Sequence, residues 1–339
     1  MLTKARSNLK WLKNGSSVTQ QQTIRKFGTT ANGFFKKTNG APQFKTKKNQ
    51  KVSLQYTKRG FSIRDGRLRL PNKVNIPVVW SRELPSEPSS VTVYQDSCGD
   101  WFASFVVEVL DTSVVSSGLE STLGTDFNVK TTVVATDKDY DLDFESQMAK
   151  HQRNYAKYQR RMATHRANRE WKLYQKAKKK AAKEKRAEKR KRSDRYRKYA
   201  KKVAISHGFI AIDDLKVSFM TKSRMAKKTY DASIFMLKTF MQEACDKYGA
   251  QYKLVNPKNT TQDCCHCGAR AKSPLTLADR VYHCSECHNV IDRDRNSAFN
   301  VLNRAGFNPT ADEAVRLNGL LESYSLKTVK HADVGIPRL

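Results

Sequence analysis

The residue pattern predicts a multidomain chain of mixed α+β and α/β character. It reads as a short helical N-terminal region, a small antiparallel β-barrel, and a strand-and-helix domain interrupted by a long basic helical segment and a zinc ribbon. Three observations predict this. Two Cys-x-x-Cys pairs, Cys264/Cys267 and Cys284/Cys287, stand sixteen residues apart. From Phe144 to Ala204 there is no Pro or Gly, and between Lys150 and Lys202 there are 24 Lys and Arg against four acidic residues. Between about residues 52 and 110, short alternating runs broken by turn residues replace any helical period.

The 339 residues suffice for two or three domains. A formal charge of +32 is too basic for an ordinary metabolic enzyme, and polyanion binding is the natural compensation. A histone-like or ribosomal protein would rarely mix strand and helix patterning to this extent. The seven cysteines are an odd number dominated by the two pairs, which points to a reducing compartment and a metal rather than disulfides. The N-terminus MLTKARSNLKWLKNG lacks an apolar signal core, and no apolar run approaches about 18 residues, so a soluble intracellular protein is expected.

Residues 1–51 are basic and poor in large aliphatics. Val18 to Phe35 has a helical pattern in which Ile24, Phe27, Phe34 and Phe35 read as packing residues, and Lys45, Lys47, Lys48 and Lys51 follow as candidate phosphate contacts. Residues 52–118 form the barrel segment. Asp65-Gly66 marks a hairpin, Cys98-Gly99-Asp100 marks another, and Pro85 to Ser90 connects them.

Residues 119–257 begin with LESTLGTDFNVKTTVVAT, which reads as two strands. Alternation puts Gly124, Asp126 and Asn128 on one face and Leu123, Thr125 and Phe127 on the other. Within the helical segment 144–204, residues 150–202 hold +20 of the net charge, so the segment would self-repel without a polyanion. Arg153, Lys157, Arg160, Arg161, Arg169, Lys176, Lys179, Lys183 and Arg190 are its candidate nucleic-acid contacts. Its i, i+3 aromatic pairs, Tyr155/Tyr158, Trp171/Tyr174 and Tyr196/Tyr199, suit packing within a helical hairpin.

Gly208 to Ile212 is a short buried strand ending in Asp213-Asp214, and two carboxylates there are costly to bury without a cation. Tyr230 to Tyr248 shows an amphipathic period capped by Gly249, and Tyr252 to Val255 reads as a further strand. Residues 258–291 form the ribbon, whose four thiolates close a tetrahedral site suited to structural zinc. Cys265 lacks the x-x spacing to Cys267, and His266 and His283 flank the site. Residues 292–305 start with Asp292 and Asp294 at the mouth of a helix, a cation-site pattern, and residues 306–339 show no clear period.

LGTDFNVKTT, IAIDDLKV, VNPKNTTQDCCHCG, YHCSECHNV and DRDRNSAFN, in this order and around a basic insert, resemble TnpB. This family, also called OrfB, comprises insertion-sequence-encoded RNA-guided nucleases, often labelled transposases, related to miniature type V CRISPR effectors. The resemblance runs from about Trp11 to Asn303. It implies a RuvC nuclease domain of RNase H-like fold, preceded by a wedge-type barrel and part of a helical recognition lobe. It also implies that Asp126, Asp213 and Asp294 hold two Mg²⁺ ions for DNA phosphodiester cleavage. The implied partners are a guide RNA from the protein's own element and a target DNA, in a prokaryotic cytoplasm close to the nucleoid.

Three positions depart from the family's pattern. Asp213 stands where Glu is usual, one methylene and roughly 1.5 Å shorter. Asn128 stands where Gly is usual after the first carboxylate. The chain begins inside the helical lobe, without the leading helices and first barrel strand. Two alternatives to an endonuclease are therefore carried forward: a nuclease-inactive RNA-guided DNA-binding protein acting as a repressor, and an N-terminally truncated transposon remnant that only binds nucleic acid. All three acidic positions remain acidic, which favours the enzyme.

Overall fold

A computed structural model describes residues 2–43, 52–109, 120–216, 218, 220–222, 225–276 and 278–324. Lys45, Lys47, Lys48 and Lys51 lie outside the described residues. Residues 1–112 with 158–183 form one compact unit, and residues 113–157 with 184–339 form a second. Among the described residues no helix is long and apolar enough to cross a membrane.

The first unit opens with α1 (Leu2–Asn8), α2 (Lys10–Lys13) and α3 (Ser17–Phe35), none of which buries a residue. The aromatics expected to pack α3 are exposed instead, Phe27 at 62% and Phe35 at 78%. Six strands follow: β1 (Ser53–Thr57), β2 (Ser62–Arg64), β3 (Arg67–Leu70), β4 (Val74–Pro77), β5 (Ser90–Gln95) and β6 (Trp101–Val106). Asp65 and Gly66 both take positive φ, 53° and 69°, so the β2–β3 hairpin has the turn its twist requires. The Asp96 carboxylate accepts from the Cys98 and Asp100 amides and folds the β5–β6 turn, with Gly99 at φ 81°. The expected single barrel is two antiparallel sheets, β1-β5-β6 and β2-β3-β4, sharing a core of Tyr56, Leu68, Val91 and Val93. Pro77 ends β4, and Pro85 and Pro88 follow before β5. Proline has no N–H to donate, so no ladder carries across this stretch.

The second unit is built on β7 (Thr122–Phe127), β8 (Thr131–Ala135), β9 (Leu142–Asp143), β10 (Phe209–Asp213) and β11 (Gln251–Val255). Their order is β11-β10-β7-β8-β9. β7, β8 and β9 form an antiparallel meander, while β10 runs parallel to β7 and β11 parallel to β10. Between β9 and β10 lies the basic segment. It is two helices rather than one, α4 (Gln147–Ala167) and α5 (Trp171–Ser206), reversed at Arg169 with φ 57°. Tyr196, Tyr199, Ala200 and Val203 of α5 enter the sheet's core. Lys185 stands 4.7 Å over the Tyr155 ring and Lys180 stands 5.9 Å over Tyr158, so those aromatics do link the two helices. Trp171 stays exposed at 59%.

After β10 come α6 (Ala226–Ala232) and α7 (Ile234–Tyr248), split by Ser233 at φ 46° where a single helix was expected. Ile234, Leu237, Met241, Ala244 and Cys245 of α7 are buried against Leu123, Phe127, Ile210 and Ile212 on one face of the sheet. The ribbon hairpin is β12 (Val281–His283) with β13 (Val290–Asp292), and it leads directly into α8 (Arg293–Ala305). Val301, Leu302 and Ala305 of α8 cover the other face through Ala211 and Val255. A Cβ on Gly124 would sit 2.3 Å from the Ala298 carbonyl and 2.7 Å from the Leu302 Cβ. Only glycine lets α8 lie this close to β7.

The stretch after Gly306 contains a helix that was not expected, α9 (Ala311–Tyr324). It docks through Leu317, Leu320, Leu321 and Tyr324, which pack against the clusters around α8 and the ribbon, and through polar groups. The buried Glu313 carboxylate accepts from the Thr122 amide and hydroxyl at 2.7 and 2.8 Å, and Arg316 pairs with Glu313 and donates to the Thr122 carbonyl.

Candidate active site and metal centre

Ile212 of β10 pairs with Thr125 of β7, so the next residues, Asp213 and Asp126, stand side by side on the face covered by α8. Both are buried, at 2% and 8% exposure. The Phe127 amide donates to Asp213 Oδ1 at 3.2 Å. The Ser297 hydroxyl of α8 donates to Asp126 Oδ1 at 2.7 Å and lies 2.9 Å from the Thr260 hydroxyl. Asp294 occupies the first turn of the same helix, above this pair. Asp292 is not part of a cation site: its carboxylate caps α8, accepting from the Asp294 and Arg295 amides.

The electrostatics of the pair are unfavourable on their own. Burial pushes Asp126 up to about 7, with the Ser297 hydrogen bond opposing and the Asp294 charge adding to the rise. Burial and the Asp126 charge hold Asp213 well above the usual carboxylate range, while Lys238 of α7 pulls the other way. Such a pair seeks protons or a cation. Asp294 is turned toward Arg293, whose Nη2 lies 2.8 Å from Oδ1, and toward Arg280 at 3.7 Å. Consequently the three carboxylates do not close into one cluster. Among the described residues the four cysteines are the only group of three or more His, Cys, Asp or Glu whose ligand atoms all lie within 4.8 Å of one another.

Cys264, Cys267, Cys284 and Cys287 form that cluster, with Sγ–Sγ separations of 3.7 Å (Cys264–Cys287) and 3.5 Å (Cys267–Cys284). A tetrahedron with Zn–S bonds of about 2.3 Å has edges of about 3.8 Å, so the donor set and its size fit zinc. Each knuckle is shaped by its backbone. The Cys264 amide donates to the Ala269 carbonyl and the Cys284 amide to the Asn289 carbonyl, with Gly268 and His288 at positive φ. Burial raises the Cys284 thiol, but the Cys287 and Glu286 amides and the facing sulphurs outweigh it and bring it down to about 7. Cys265 is buried outside the cluster, and its amide donates to the Asn296 side chain at 2.9 Å.

Several positioning residues carried no sequence signal, because their partners are distant in the chain. Asn296 and Asn300, one helical turn apart on α8, both donate to the Thr260 and Asp263 carbonyls. Arg304 binds the Lys258 carbonyl and Asp263. Helix α8 thus carries Asp294, holds Asp126 through Ser297 and clamps the entry to the ribbon. The spacing Asn296-x-x-x-Asn300 within DRDRNSAFN was the one available hint.

Arg153, Lys157, Arg160, Arg161, Arg169, Lys176, Lys179, Lys183 and Arg190 are all exposed along the helical hairpin. Asn128 is used locally: its side-chain oxygen accepts from the Lys130 and Thr131 amides and shapes the turn after β7.

Two family models match the chain, one described as "Probable transposase" over residues 104–224 and one as "Cas12f1-like, TNB domain" over residues 235–301. A Streptomyces pristinaespiralis protein named "Putative RNA-guided DNA endonuclease" is 29% identical over 99% of this chain and 84% of its own length. The Escherichia coli (strain K12) protein of the same designation, InsQ, is 28% identical over 86% of this chain and 75% of its own length. Among solved structures, the Cas12f1 chain in a Cas12f1–sgRNA–target DNA complex matches at a TM-score of 0.50 and 14% identity. That match covers 82% of this chain and 69% of Cas12f1, a likeness of fold. Both family models fall on the carboxylate strands and the ribbon, and together with these relatives they support a TnpB-family member.

Proposed function

We propose that this protein is an RNA-guided DNA endonuclease of RuvC type, with an RNase H-like sheet and Asp126, Asp213 and Asp294 as its catalytic carboxylates. The observation that carries the reading is the placement of Asp126 and Asp213 one residue beyond the Thr125–Ile212 pair on parallel strands, beneath the helix that bears Asp294. Two buried carboxylates at adjacent positions are destabilising when ionised unless a cation joins them, and hard oxygen donors suit Mg²⁺. When bound, two such ions supply an activated water and stabilise the leaving oxygen of a phosphodiester. The chain's own part is to hold the donors. Ser297 and the Phe127 amide fix the rotamers of Asp126 and Asp213. To serve as the third donor, Asp294 would have to turn from Arg293 toward the pair.

The four cysteines are assigned to structural zinc, which steadies the loop that α8 grips. The exposed cations of the hairpin are assigned to the phosphates of guide RNA and target DNA, which the protein holds while base pairing reads the sequence. Residues 52–118 are assigned to a wedge-type element and residues 119–257 with 292–305 to the RuvC domain.

A second reading, a guided DNA binder that does not cut, draws support from the Asp294–Arg293 contact and the shorter Asp213. The test is a Mg²⁺-dependent cleavage assay on protein co-expressed with RNA from its own locus, against a library of flanking sequences. Guided cutting that Asp294→Ala abolishes without loss of RNA binding is the expected result. Retained cutting in that variant overturns the site assignment. Guided binding without cutting, with cutting gained by Asp213→Glu, selects the second reading.

A further inference from the structure

Asp213 and Asp214 are consecutive, so their side chains leave β10 on opposite faces. Asp213 faces α8. Asp214 faces α7 and, with Ile212, lines a cavity of about 470 Å³ that none of the assignments above uses. Its remaining wall is part aromatic and part cationic, with Phe235, Tyr252, Lys238 and Gln242. Phe235 is 77% exposed on a helix whose Ile234, Leu237 and Met241 are fully buried, so it serves no core. Leu254, on the edge strand β11, is half exposed beside it. Lys238 is held in place by the Leu215 carbonyl at 3.2 Å and by Asp214 at 3.5 Å. Lys216 stands exposed at the rim.

An exposed ring surface, the held Lys238 and the exposed Lys216, and an amide and a carboxylate converge at the carboxyl ends of parallel strands, where α/β sheets hold ligands. The volume is that of a cleft for one small ligand, not of a groove for a duplex. A flat base can stack on Phe235 or Tyr252, its edge can meet Gln242 and Asp214, and its phosphate can meet Lys216. A chain of net charge +32 selects a polyanion over an uncharged ligand. We propose that this cavity binds one nucleotide of a single-stranded DNA, on the sheet face opposite the carboxylates. The proposal rests on the endonuclease reading. A strand rounding the end of β10 passes both faces, so a base anchored here sets which phosphate reaches Asp126 and Asp213.

The test uses the full chain and needs no cleavage. A thymidylate oligonucleotide carrying 5-iododeoxyuridine is photo-crosslinked to the protein and the attachment site is mapped. A labelled oligothymidylate is also titrated at raised salt, which weakens phosphate contacts but spares stacking. The expected result is a crosslink at Phe235 or Tyr252, an affinity loss of about tenfold in Phe235→Ala, and recovery in Phe235→Trp. Crosslinks confined to other segments, or equal affinities for wild type and Phe235→Ala, overturn the proposal. Tighter binding of oligouridylate, lost in Phe235→Ala, would make the ligand RNA and overturns it. A changed oligomeric state with unchanged DNA affinity would make the occupant another protein copy and overturns it as well. Because the readout is binding, its failure leaves the Asp294→Ala cleavage test untouched.

Discussion

Arg295 and Asp141 form a bidentate ion pair, at 2.8 and 2.6 Å, between the first turn of α8 and the turn that precedes β9. The same guanidinium donates to the Ala135 carbonyl and lies 4.8 Å over the Tyr324 ring. Ala135 is the register partner of Thr125, the residue before Asp126. A buried cation therefore ties the residue after Asp294 to the strand that flanks Asp126.

Replacing Arg295 with Met leaves Asp141 without its partner, and breaking a largely buried pair costs about 3 kcal/mol. The expected outcome is a lower melting temperature together with roughly a tenfold higher Mg²⁺ requirement for cleavage, since donor placement tolerates little error. Arg295→Lys, which keeps the charge but not the fork, should fall between. A metal titration that overlays wild type would reduce the pair to a purely structural role.

Chelation of zinc, or Cys284→Ser, should unfold the ribbon, because structural zinc supplies on the order of 10 kcal/mol to such small modules. Asn296 and Asn300 would then lose the ordered Thr260 and Asp263 carbonyls they hold. Thermal melts before and after complete metal removal check this, and unchanged melting would refute a structural site.

The metal-free protein should lose stability as pH rises. A carboxyl whose folded value is raised contributes stability that is complete below its ordinary value and lost as pH passes the folded value. For Asp126 that window runs from 3.8 to about 7. The facing groups are Asp213 on β10, Asn128 after β7, and Arg293, Asp294 and Ser297 on α8, with Lys238 of α7 acting on Asp213. Melts in a chelator should show the decline, Asp126→Asn should flatten it, and Mg²⁺ should offset it. An identical slope in wild type and Asp126→Asn would exclude the pair as its source.

Gly124→Ala should destabilise by about 1–3 kcal/mol, because its Cβ would overlap the Ala298 carbonyl and push α8 outward. Activity should fall further than stability does, since α8 bears both Asp294 and Ser297. Chemical denaturation beside cleavage rates at a permissive temperature distinguishes the two effects.

Nucleic-acid affinity should fall steeply with salt, and neutralising Arg160, Arg161, Lys176 and Lys179 together should flatten that slope by about four phosphate contacts. A slope unchanged by the four substitutions would remove these residues from the interface.

Local chemistry was the legible part of the chain. The Asp65-Gly66 hairpin, the α7 apolar period and the two cysteine knuckles announce themselves within a few residues, because turn geometry, helical spacing and metal ligation are short-range constraints. Helix α9 has a stripe at helical spacing, Leu317, Leu320, Leu321 and Tyr324, but it is only half-buried, and its buried anchor Glu313 finds its partner far away in the sequence. The role of Arg295 was illegible because Asp141 lies 154 positions away. The aromatics of α3 misled for the opposite reason: a helical period of large side chains says that a face exists, not that it is covered. The break at Ser233 left no mark, since serine in the left-handed region is uncommon and nothing in its neighbours requires it.

The buried Glu313–Thr122 hydrogen bonds join residues 191 positions apart, and they have a consequence for synthesis. Of the second unit, a ribosome releases β7, β8 and β9 first, then a long charged hairpin, and only much later α8 and α9. Until α8 emerges, the Gly124 face of β7 has no cover, and until α9 emerges the Thr122 end of that strand has no anchor. The nascent chain can thus fold its hairpin and engage polyanions while its acidic triad is still incomplete. Chain order makes assembly of the proposed carboxylate centre one of the last events of translation.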